Sequence, residues 1–141
     1  MKHIYDDGGR EAAGFKGKAG DCVARAVAIA SGKPYAEIYD ILAEGMGTQR
    51  KATKGRSARN GVSTSRKWFK DYMASLGFVF VPTMGIGTGC KVHLRDGDLP
   101  MGRIIARVSR HYVAVIDGVL HDTFDASRNG TRCVYGYWRF A

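Results

Sequence analysis

Cys22, His111 and Asp122 have the types and order needed for nucleophilic acyl transfer. Cys22 lies in "GDCVARAVAIASG", residues 20–32, where Val23, Ala26, Val27 and Ala30 recur at helical spacing. That spacing puts the thiol in the first turn of a helix. A thiol attacks as its thiolate, and the partial positive charge of a helix N-terminus favours that form. The attack also needs a base and a group that holds the base in its useful tautomer.

A base and an orienter come from "HYVAVIDGVLHDTFD", residues 111–125, which reads as two strands around Asp117–Gly118. With those two residues as the turn, Ile116 pairs with Val119, Val115 with Leu120 and Ala114 with His121. Continuing the count sets Val113 opposite Asp122 and His111 opposite Phe124. Side chains alternate, so His111 and Asp122 become diagonal neighbours on one face, roughly 7–8 Å apart at the backbone. His121 and Asp125 fall on the other face. The predicted roles are Cys22 as nucleophile, His111 as base and Asp122 as orienter. The backbone N–H of Cys22 is a donor for a developing oxyanion.

Other roles stay open for the same residues. Cys22 could pack beside Val23 and Ala26, and Asp21 could cap the helix without a catalytic part. Cys90, Cys133, His93 and His121 offer further metal-ligand types, but "CKVH" is the only close Cys/His spacing, so no metal and no cofactor are expected. The cysteines number three, an odd count unlike a disulfide framework, and free thiols are expected for all of them.

The elements that would position these residues divide the chain. A Gly-rich lead-in precedes the helix over 21–31, which Gly32 ends. Pro34 opens a second helix, "PYAEIYDILAE". A third runs from Ser63 or Thr64 to Leu76, burying Trp68, Tyr72 or Phe69, Met73 and Leu76, with Gly77 as its stop. After it, "FVFVPT", "GRIIARVS", the hairpin and "RCVYGYWRF" read as strands, and "MGIGTGC" as a loop. Helices first and antiparallel strands second indicate an α+β fold in one domain, residues 1–141.

The formal net charge is +9, and part of the excess lies in the exposed stretch containing Arg50, Lys51, Lys54, Arg56 and Arg59. That stretch could contact phosphates, with Trp68 or Phe69 nearby for stacking on bases, or select acidic substrates beside a cleft. Acidic residues stand where a signal peptide would carry its apolar stretch, and no apolar run approaches a membrane span. A cytoplasmic protein with no membrane partner is expected.

A helix-borne "GDC" near the N-terminus, followed much later by "RHYVAVIDGVLHD", resembles the papain-like cysteine peptidase fold, including its compact bacterial peptidase domains. Nearly the full length is also similar to small uncharacterised phage and prophage proteins sharing "GDC", "SARNGV", "CKVHL" and "VAVIDG-HDT" segments. The first resemblance implies a thiol hydrolase acting on a peptide, isopeptide or amide bond of a protein or peptide substrate. The second implies a phage or prophage protein, whose location would be the cytoplasm of the bacterial host cell. Papain-like enzymes usually carry a glutamine a few residues before the cysteine as an oxyanion donor. Here that stretch is "GFKGKAG", and Gln49 is the sole glutamine. Lys16 or Lys18 could take its place. An inactive relative on the same fold, engaging nucleic acid or an acidic protein through its basic residues, is the alternative.

Overall fold

The computed structural model describes residues 1–15, 21–47 and 64–140. Among them are three helices and six strands: β1 (His3–Tyr5), α1 (Cys22–Ser31), α2 (Tyr35–Gly47), α3 (Lys67–Ser75), β2 (Phe78–Pro82), β3 (Arg103–Val108), β4 (His111–Ile116), β5 (Val119–Asp122) and β6 (Gly136–Phe140). The α+β class is as expected. The sheet, however, is mixed, in the order β1-β5-β4-β3-β6-β2. Its edge strand β1 comes from the lead-in and runs parallel to β5, pairing Tyr5 with Asp122. The last strand is shorter than expected, because Cys133 makes only an isolated bridge, with His93.

The β4–β5 register agrees with the turn count. Ile116 pairs with Val119, Val115 with Leu120 and Ala114 with His121. Asp117 and Gly118 both have positive φ, 49° and 79°, as the tight turn of a right-twisted hairpin requires. The ladder stops at Ala114–His121 and does not extend to Val113–Asp122. His111, first in β4, and Asp122, last in β5, therefore lie together at the end where the two strands no longer pair.

Strand alternation sorts the core into two layers. Ile105, Tyr112, Ala114 and Trp138 face the helices, packing with Val27, Ile38, Leu42, Phe69 and Met73. Ile104, Ala106, Val113, Val115 and Leu120 point the other way and pack with Leu94, Ala126 and Val134 from the long connections. Helix α1 is buried well beyond a single stripe, since Val23, Ala24, Ala26, Val27, Ala28 and Ala30 are all buried. Small side chains let it sit between the sheet, α2 and the N-terminal segment. Gly8 completes that contact: a Cβ there would come within 3.0 Å of the Arg25 carbonyl. Gly32, at φ 73°, donates its N–H to Ala28 and ends α1 as expected. Pro34 stands just outside α2 and accepts from the Ile38 N–H.

Candidate active site

Cys22 is the first residue of α1, so its backbone N–H has no intrahelical partner. Its thiol is half-buried and is the one free cysteine. The His111 side chain and the Tyr112 backbone N–H lie close enough to the sulfur to act on its ionisation. Burial pushes the thiol up. The His111 hydrogen bond and charge, the Tyr112 N–H and the charge of Arg25 outweigh it and hold the thiol below its ordinary value.

His111 is fixed from its other side. Its Nε2–H donates to Oδ2 of Asp122 at 2.5 Å, with the two side chains only 9% and 4% exposed. Nδ1 is then the ring nitrogen left for the thiol. Burial alone would lower the imidazole, but the hydrogen bonds to Asp122 and Cys22 prevail and raise it to about 9. A raised imidazole beside a lowered thiol favours the imidazolium–thiolate pair. Phe124 covers part of the ring, its centroid 5.3 Å from that of His111.

Asp122 accepts more than the histidine. Oδ1 takes the Thr123 N–H at 2.7 Å and lies 3.5 Å from Nη2 of Arg25. The Asp122 backbone carbonyl accepts from Asp6 N–H and from Nε2 of His3. These partners leave its buried carboxylate satisfied on both oxygens, as a buried charge needs.

Asp21 has a different place from the expected cap. Its side chain makes no capping hydrogen bond. The carboxylate is buried and holds Arg25 through Oδ1, while Oδ2 accepts from the Tyr35 hydroxyl and pairs with Nε of Arg10 at 3.2 Å. Arg25 and Arg10 were not singled out from the sequence. A helical Asp–Arg spacing of four was the available signal for the first, whereas Arg10 and Tyr35 arrive through tertiary packing. Arg132 was also missed. It is buried, donates to the carbonyls of Ser109 and Ala126, and lies within electrostatic reach of Asp122 and Cys22.

Cys90 and Cys133 form a disulfide, which corrects the expectation of free thiols. The segments 92–94 and 132–134 run side by side, with Leu94 N–H on the Arg132 carbonyl and Val134 N–H on the Val92 carbonyl. That pairing brings the two cysteines within bonding distance across 43 residues of sequence. A sulfur in a disulfide is not a thiolate ligand, so "CKVH" loses its metal-site reading. No group of three or more metal-ligating side chains occurs among the described residues.

His121 lies away from the thiol and bonds Asp6 at 3.1 Å. Asp125 accepts from Ser127 in the following turn. Phe69 is wholly buried in the core, which removes it as a base-stacking platform, and Trp68 is partly buried against the same core. Lys16, Lys18, Gln49, Arg50, Lys51, Lys54, Arg56 and Arg59 lie outside the described residues. No described helix is long and apolar enough to cross a membrane. Comparison with protein-family models, curated sequences and solved structures gave no match.

Proposed function

We propose that this chain is a cysteine hydrolase of papain-like arrangement, cleaving a peptide, isopeptide or amide bond through a thioester. The observation that carries the reading is the buried His111–Asp122 pair beside the start of α1, where it acts on the Cys22 thiol. In the first step the Cys22 thiolate forms a bond to the carbonyl carbon. The oxygen takes the negative charge, with the Cys22 N–H as a donor. As the C–N bond breaks, the His111 imidazolium gives its proton to the leaving nitrogen. Water then attacks the thioester, His111 takes its proton, and the Cys22–carbon bond breaks to release a carboxylic acid. Asp122 keeps the imidazole turned toward the thiol throughout.

Alkylation tests this reading without a known substrate. Under non-reducing conditions iodoacetamide should modify Cys22 at near-neutral pH, faster than an ordinary thiol of comparable exposure. His111→Ala should remove that advantage. A Cys22 that reacts no faster than a free cysteine, or is indifferent to His111→Ala, would sink the proposal.

A further inference from the structure

The buried charges around the site form one alternating series: Arg10, Asp21, Arg25, Asp122 and His111. Arg25 is its middle member and touches two carboxylates, Oδ1 of Asp21 through Nη1 and Oδ1 of Asp122 through Nη2. Asp21 is itself held from three elements: Arg10 on the N-terminal segment, Arg25 on α1 and Tyr35 on α2. Asp21 is 2% exposed, Asp122 3% and Arg25 9%, so these contacts operate with little water around them. Removing three such charges from water is costly, and apolar residues would fill the same volume with less loss. Packing alone gives no reason for the network to end on the carboxylate that orients His111.

Resting on the proposed hydrolase reading, we propose that Arg25 is the positioning residue of the site. Anchored on Asp21, it holds one oxygen of Asp122 so that the other stays on Nε2 of His111. It also sets a permanent positive charge within electrostatic reach of the Cys22 sulfur. The planar guanidinium suits this task, since its two terminal nitrogens can face different carboxylates at once. Arg25 lies three residues after Cys22 on α1, so one helix turn carries both the nucleophile and the group that steadies its base.

The other groups facing these atoms are few among the described residues. Asp122 meets His111 from β4, the Thr123 N–H and hydroxyl, and His3 of β1 at its backbone carbonyl. The Cys22 thiol is acted on by His111 and the Tyr112 N–H as well as by Arg25. Arg132, from the segment before β6, acts on both by charge, because it donates to the backbone carbonyls of Ala126 and Ser109. Arg25 thus differs from Arg132 in contacting the orienting carboxylate directly.

The test is the rate of Cys22 alkylation by iodoacetamide in the full-length, disulfide-intact protein, followed from about pH 5 to about pH 10. Arg25→Met should slow the reaction near pH 6.5 on the order of tenfold, equal to about 1.4 kcal/mol, and move the rising limb to higher pH. Arg25→Lys keeps the charge but offers a single point in place of the fork, so its profile should fall between those of Met and wild type. Circular dichroism reports whether each variant is folded. A merely structural Arg25 would lower the unfolding midpoint and leave the pH profile in place, which overturns the inference. If Arg25→Met does not fold, Arg25→Lys against wild type decides, and coincident profiles overturn it. His111→Ala separates the two levels. If it has no effect on the rate, the hydrolase reading fails, whereas an effect there with unchanged Arg25 variants overturns the positioning role only.

Discussion

Two histidines of the β4–β5 hairpin each meet a carboxylate, and only one of the pairs has the makings of a reactive centre. His111 and Asp122 meet at 2.5 Å with side chains 9% and 4% exposed. His121 and Asp6 meet at 3.1 Å with side chains 21% and 32% exposed. A contact between an imidazole and a carboxylate is therefore not the distinguishing feature. The first pair is shielded from water, acts on the Cys22 thiol and has a guanidinium on the other carboxylate oxygen. Low dielectric strengthens each of those interactions, while solvent and salt weaken the second pair. Strand ends explain the split. His111 and Asp122 lie where β4 and β5 stop pairing, beside the start of α1, whereas His121 faces the turn after β1 that carries Asp6.

The largest expected effect breaks the comparison if it fails. His111→Ala should cost about two to four orders of magnitude in the acyl-transfer rate, the usual worth of a general acid–base group. The equivalent His121→Ala should leave that rate unchanged. Stopped-flow alkylation of Cys22 at near-neutral pH provides a substrate-free version of the same measurement. Equal losses in the two variants would show that the buried pair has no special standing.

Much of this site was legible because it depends on local signals. Asp117–Gly118 set the turn, the turn set the register, and the register put His111 diagonal to Asp122. Gly32 and the run from Val23 to Ala30 marked α1 in the same way. What escaped has no local signal. β1 is three residues long and joins in parallel, so neither length nor a hairpin announces it. The Cys90–Cys133 bond depends on a pairing of two irregular segments, which neither the cysteine count nor their spacing signals. Asp21 precedes a helix as a cap would, yet its partners Arg10 and Tyr35 come from other elements.

The disulfide sharpens the comparison from outside it, with the next largest effect. Cys90→Ala with Cys133→Ala should lower the unfolding free energy by about 2–4 kcal/mol, as expected for a bridge closing a long loop. The pH profile of Cys22 alkylation should not move, because the Leu94–Arg132 and Val134–Val92 backbone hydrogen bonds still hold the segment. Urea unfolding followed alongside alkylation separates the two quantities. A shifted profile would mean that the bridge reaches the site through Arg132.

A smaller effect concerns pH. His111 is raised to about 9 from 6.5, so its stabilising contribution is complete below 6.5 and is lost as pH rises through about 9. Cys22 runs the opposite way. Its thiol is lowered from 9.0, so its contribution is present above 9.0 and lost as pH falls through the folded value. Where the two ranges overlap, the native state holds imidazolium and thiolate while the unfolded chain holds imidazole and thiol. Proton counts are equal there, and the pair adds no slope to stability. Cys22→Ser removes one arm and leaves Asp122 to raise His111. Stability should then decline as pH rises above about 6.5, by at most about 1.4 kcal/mol per pH unit. Denaturation at a series of pH values checks it, and a wild-type slope equal to that of Cys22→Ser would contradict the ion pair.

The smallest expected effect belongs to the exposed pair. Asp6→Asn weakens the contact with His121 but keeps a side chain of the same shape, able to accept through its amide oxygen. A partly exposed contact of this kind is worth at most about 1 kcal/mol even when both groups are charged, so the unfolding midpoint should barely move. The residual loss should shrink further in high salt, since the Debye length is about 3 Å at 1 M. Asp122→Asn is the matching change at the buried pair. There the neutral amide loses the charge that both His111 and Arg25 face, and salt has little access to restore balance. Asp122→Asn should therefore show a larger loss that is nearly independent of salt. Salt titrations of the two variants, run side by side by thermal unfolding, read the difference directly. Equal salt dependence would mean that burial does not separate the pairs.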